Sequence, residues 1–117
     1  MKVTIVGLLA AALLAPAVGG AAPAPSRLQV TAKEYVYVLS RHAVKAGPAI
    51  VELVNFGEDP HDLHMQRLGG GRVWKTPDVL PGDRYDLTVT LVKGRYRLWC
   101  AIADHRERGM TATLTVT

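Results

Sequence analysis

The alternation of apolar and polar residues in the second half of the chain constrains its fold more than any other feature. Tyr85, Leu87, Val89 and Leu91 interleave with Arg84, Asp86, Thr88 and Thr90. Tyr96, Leu98 and Cys100 do so against Arg95, Arg97 and Trp99, and Met110, Ala112, Leu114 and Val116 against Thr111, Thr113, Thr115 and Thr117. Successive side chains of a strand point to opposite faces, so each stretch reads as a strand with one side on a core. Earlier strands are expected at Leu28 to Thr31, Glu34 to Ser40, Ala49 to Asn55 and Asp62 to Leu68. Turn residues separate them at Gly47-Pro48, Gly57 to Pro60, Gly69 to Gly71, Pro81-Gly82 and Lys93-Gly94. Short strands at such spacing predict an all-β chain, an antiparallel sandwich or barrel. No stretch after the N-terminal segment keeps a helical period, so any helix is one or two turns.

The N-terminus reads as a secretory signal peptide over residues 1–21. Lys2 gives a positive start, Ile5 to Val18 is apolar, and small residues follow at Gly19, Gly20, Ala21 and Ala22, with cleavage expected after Ala21. The apolar run is shorter than the roughly 20 residues of a spanning helix and contains Pro16, so the mature form is expected not to span a membrane. Residues 22–27 form a short Ala/Pro leader, and residues 28–117 one domain, long enough to bury a core of its own. Export to the periplasm or the extracellular space follows, and a monomer is expected. The net charge is +4 at pH 7, with Lys and Arg scattered among acids, which gives no nucleic-acid footprint.

Export places the chain where disulfides form, yet it has one cysteine, Cys100. That thiol is buried and inert, paired with another chain, or bound to a metal. Cys100, His105 and Met110 follow one another as Cys-x4-His-x4-Met, in a loop between two inward-facing strands. Such a loop can bring a thiolate, an imidazole and a thioether to one point, a set that suits a soft metal. His61 is the fourth candidate: Pro60 stiffens its approach, and in a regular strand it shares a face with Leu63 and Met65. His64 then points to solvent with Asp62 and Gln66, Met65 joins the core, and His42 is exposed.

At these residues the sequence resembles the cupredoxins, the small type 1 blue copper proteins that include plastocyanin, azurin and auracyanin. The resemblance rests on Asn55-Phe56-Gly57 before His61, then Cys100, His105 and Met110 in that order, then a last alternating strand. It implies a Greek-key β-sandwich holding one copper ion, Cu(II)/Cu(I), with His61 and His105 as imidazole ligands, Cys100 as thiolate and Met110 as weak axial ligand. It implies no enzyme, but a carrier of single electrons between redox partner proteins, donating through the exposed edge of His105. A plane of two imidazoles and one thiolate with a weak thioether is tolerable to both copper states, so little has to move on electron transfer. A copper carrier or storage protein would use the same ligands and is the alternative.

Two departures from the family pattern matter. Asp62 stands where Asn is common, and a carboxylate can only accept, so it must bind backbone N–H groups or a cation. The backbone N–H at that position is unaffected and is expected to point to the sulfur. The Cys100 to Met110 loop is longer than in plastocyanin and nearer to that of auracyanin or rusticyanin. Trp99 covers apolar surface, with a second electron entry route as a minor role, and Arg106 and Arg108 are candidates for docking an acidic partner. An oxidase or nitrite reductase needs further histidine ligands than the four histidines here supply, and a dinuclear copper site needs two bridging cysteines.

Overall fold

The structure is a computed structural model and describes residues 1–4, 7, 10–15, 20 and 22–117. Much of the apolar run of the expected signal peptide, and Ala21, lie outside the described residues. The strands are β1 (Ser26–Lys33), β2 (Val36–Leu39), β3 (Ala43–Val44), β4 (Gly47–Asn55), β5 (His64–Arg67), β6 (Val73–Lys75), β7 (Arg84–Leu91), β8 (Gly94–Trp99) and β9 (Thr111–Val116). No helix occurs among the described residues, and none there is long and apolar enough to cross a membrane.

The strands form two sheets, one in the order β2-β1-β4-β7 and one in the order β3-β9-β8-β5-β6. Their apolar faces meet in one core. Leu28, Val30, Val51, Leu53, Val89 and Leu91 come from the first sheet, and Met65, Tyr96, Leu98, Leu114 and Val116 from the second. Each large aliphatic side chain enclosed in this way stabilises the fold by about 1.5–3 kcal/mol. The alternation read from the sequence gives these faces correctly. Tyr85 is the exception: it has the inward parity of its strand, but lies at the strand end opposite Leu53 and is 40% exposed.

The expectation of a purely antiparallel sandwich is corrected. β1 runs parallel to β4, with Val30 opposite Leu53, and β3 runs parallel to β9, with Val44 opposite Val116. After the β1–β2 hairpin the chain crosses to the second sheet as β3, then returns beside β1 as β4. Alternation specifies which face is buried, not the direction of the neighbour, so the two parallel pairs leave no local signature. Two short edge strands, β3 and β6, are also absent from the expected set. Gly47 and Gly94 open β4 and β8 instead of lying wholly in turns.

Three connections gather near one another: the β1–β2 turn with Glu34 and Tyr35, the β4–β5 loop from Phe56 to Leu63, and the β8–β9 loop from Cys100 to Met110. Glu34 touches the second connection and Tyr35 the third, so the hairpin turn links both.

Candidate metal centre

Cys100 follows the last residue of β8, and Met110 precedes the first residue of β9. Their backbones stay joined, since Cys100 N–H donates to the Met110 carbonyl at 3.1 Å. The nine-residue excursion between them is a series of tight turns. His105 N–H donates to Ile102 O, Arg108 N–H to Asp104 O and Gly109 N–H to Arg106 O, and Met110 N–H returns to His105 O, all at 3.0–3.1 Å. Ala103 takes a left-handed φ of 45°, and Gly109 a φ of 113°, which a side chain would strain. The closing bond from Met110 to His105 fixes the tip of the loop against its base.

His61 is delivered from the other side by an equally determined path. It makes an isolated bridge to Val79, with its N–H 3.1 Å from Val79 O and its carbonyl 2.8 Å from Val79 N. Asn55, fully buried at the end of β4, organises the loop before it. Its amide donates to Asp59 O and to Val79 O, each at 2.8 Å, and its side-chain oxygen accepts from Gly57 N–H at 2.8 Å. One side chain thus ties the loop to its own strand and to the segment that pairs with His61.

Between them these paths bring three ligand atoms, one each from His61, Cys100 and His105, within 4.8 Å of one another. Cys100 Sγ lies 3.6 Å from His105 Nδ1. His61 Nδ1 is buried without any hydrogen-bond partner. A buried nitrogen with no partner is costly, and a metal ion would satisfy it. His61, Cys100 and Met110 are 0% exposed and His105 6%, so whatever the centre holds is screened from water. A soft thiolate and two imidazoles in a dry pocket fit a transition-metal ion.

The thiol environment works in two directions. Burial pushes the Cys100 thiol up from its ordinary value, while hydrogen bonding from the backbones of Asp62 and Ile102 pulls it down. The Asp62 carboxylate accepts from Ala101 N–H at 2.8 Å, joining the His61 and Cys100 segments as an acceptor-only group must. The hydroxyl of Tyr37 donates to the Asp62 carbonyl, and burial pushes this phenol far above its usual range.

Other sequence expectations are revised. His64 is the first residue of β5, not the third of a strand beginning at Asp62, and its side chain is 18% exposed rather than solvated. It stacks on Trp99 with centroids 5.4 Å apart, and Arg106 lies 4.9 Å from the same ring centroid. The expected exposed edge of His105 is covered. The Tyr35 ring sits 5.0 Å from the imidazole, Arg108 lies over Tyr35 at 4.8 Å, and the Asp59 carboxylate is 3.8 Å from His105 Nε2. Arg108 also holds Asp104 at 2.8 Å, and its hydrogen bond keeps that carboxyl below the usual range. Met65 is in the core and His42 is exposed, as expected.

Sequence reasoning missed Glu34. Its carboxylate accepts from Glu58 N–H at 2.7 Å and Asp59 N–H at 2.6 Å, and lies 3.1 Å from His61 Nε2. The Asp59 bond first, then the smaller contacts, holds its pKa at about 2 against the partial burial that opposes it. Nothing near Glu34 in the sequence announces this, because its partners lie 24 to 27 residues away.

No family model matches this chain, and no curated protein sequence matches it. Solved structures do. Dithionite-reduced auracyanin from the photosynthetic bacterium Roseiflexus castenholzii is 17% identical, with a TM-score of 0.67 over 81% of this chain and 99% of that one. Auracyanin A, a "blue" copper protein of Chloroflexus aurantiacus, is 15% identical, with a TM-score of 0.66 over 80% and 100%. The blue copper oxidase of Nitrosomonas europaea is 18% identical, with a TM-score of 0.61 over 80% of this chain but 39% of that one. The likeness is one of fold, and the fold is that of these copper proteins: a β-sandwich of two mixed sheets.

Proposed function

We propose that this chain, which has the cupredoxin fold, holds one copper ion and carries single electrons between redox partner proteins. The observation that carries the reading is the convergence of Cys100, His105 and the unpartnered Nδ1 of His61 in one dry pocket. When bound, copper supplies a centre that takes up and gives back one electron, as Cu(II)/Cu(I).

The protein's own residues supply the rest. The imidazoles of His61 and His105 and the thiolate of Cys100 would hold the ion, and Met110, buried at the end of the same loop, would offer a thioether. Ion binding must displace the proton that burial otherwise keeps on Cys100. Bonds from Met110 to His105, Ala101 to Asp62 and His61 to Val79 hold the ligand segments in fixed register, so the site is preorganised. Burial leaves no open position for a substrate, which supports a carrier of electrons over an enzyme. With His105 beneath Tyr35, the electron would leave through the covered imidazole and the ring on it, not through a bare histidine edge.

A copper carrier or storage protein would need to release its ion, and enclosure of all four ligands favours retention. Export to the periplasm or extracellular space, behind a signal peptide at residues 1–21, belongs to the same reading. The test is a titration of the purified protein with Cu(II). An electron carrier gives one equivalent, an intense visible band, and reversible reduction and reoxidation. Rapid loss of Cu(I) to a chelator, with no reversible couple, would favour the carrier reading instead.

A further inference from the structure

A neutral imidazole bears its proton on one nitrogen, and the nitrogen that faces a metal must be bare. At His61 the choice is made by something outside the ligand set. Nε2 lies 3.1 Å from Glu34 Oε1, a carboxylate that can only accept, so the proton belongs on Nε2 and the lone pair on Nδ1. That Nδ1 is the atom left without a hydrogen-bond partner.

Glu34 is itself held. Two backbone N–H groups, from Glu58 and Asp59, donate to the same oxygen at 2.7 and 2.6 Å. The backbone must pass close beneath the carboxylate, and Gly57 permits it: a Cβ there would stand 2.4 Å from Oε1. The side chain is 26% exposed, so this charge is partly screened but not bathed in solvent. Glu34 reaches from the β1–β2 turn, which contributes none of the ligands.

We propose that Glu34 is the positioning residue of the centre: seated on the backbone of Gly57 to Asp59, it fixes the tautomer and orientation of the His61 ring and biases the bound metal toward its oxidised state. The orienting part follows from the hydrogen bond, since carboxylate partners of ligand histidines commonly raise metal affinity 10- to 100-fold. The redox part rests on the copper reading. A negative charge on the far side of a ligand favours the more positive metal.

The test uses the whole chain, metal-free and copper-loaded. In the metal-free protein, ¹⁵N chemical shifts of His61 are expected to report the Nε2–H form alone, and in Glu34→Ala a mixture of both tautomers. Gly57→Ala displaces the carboxylate without altering it and is expected to act in the same direction. In Glu34→Gln the side-chain shape is kept and the charge is lost. The ratio of reduced to oxidised protein at a fixed potential should then rise about tenfold, which is about 59 mV for a one-electron couple. Copper affinity in Glu34→Ala should fall 10- to 100-fold. If Glu34 merely caps the loop at Glu58 and Asp59, Glu34→Ala lowers the melting temperature but leaves tautomer, affinity and potential unchanged, and the proposal is overturned. The tautomer arm contains no metal, so it decides the role of Glu34 even if the chain proves not to take copper.

Discussion

Replacing Cys100 by serine is expected to abolish the visible band of the Cu(II)-loaded protein almost completely and to remove its high affinity for Cu(I). The absorption arises from charge transfer between a polarizable thiolate and the metal, and a hydroxyl is a harder donor that keeps its proton at neutral pH. Neither imidazole can compensate, because His61 and His105 are pinned by backbone bonds to Val79 and Ile102. The substitution also puts a hydroxyl where the side chain is 0% exposed, and an unsatisfied polar group there costs about 1–3 kcal/mol. The check is a visible spectrum of both proteins at equal copper loading, with urea unfolding of the metal-free forms. A band of undiminished intensity in Cys100→Ser would mean that the sulfur does not touch the metal.

Asn55→Ala is expected to be the most damaging change outside the ligand set. The amide satisfies the Asp59 and Val79 carbonyls and the Gly57 N–H at once, from a fully buried position. Removing it orphans the Asp59 carbonyl and the Gly57 N–H, and leaves the Val79 carbonyl with the His61 N–H alone. Some of them regain water as the loop loosens, so a loss of about 2–4 kcal/mol is expected in place of the full penalty. Because Gly57 and Asp59 also form the seat of Glu34, the damage should spread to His61 and weaken metal binding as well. Chemical denaturation of the metal-free protein, followed by a copper competition assay, measures both. Wild-type stability in Asn55→Ala would show that these bonds do not hold the loop.

Much of this was legible from residue order because it is local. Alternation along Tyr96 to Cys100 and Met110 to Val116 places Leu98, Cys100, Met110 and Leu114 on inward faces, and the structure buries all four. Cys100, His105 and Met110 lie on one short loop, so their spacing carries information about their geometry. His61 could be picked out because it follows Pro60 and precedes the apolar Leu63 and Met65, although it lies before β5, in an isolated bridge to Val79. What stayed hidden depends on contacts between distant segments. Glu34 and Tyr35 meet the ligands only because a hairpin turn from the first sheet folds over them. The parallel pairing of β1 with β4 follows from a crossover between sheets, which no local pattern encodes. The burial of His105 was misread for the same reason: a charged loop tip reads as solvated until the ring that covers it is in place.

In the proposed centre the sulfur of Cys100 and one nitrogen each from His61 and His105 bind the same ion. X-ray absorption at the copper edge of the loaded, full-length protein measures this directly. It should find one short copper–sulfur bond together with two imidazole nitrogens, and the sulfur contribution should vanish in Cys100→Ser. A first shell made only of nitrogen and oxygen in the wild-type protein would contradict it.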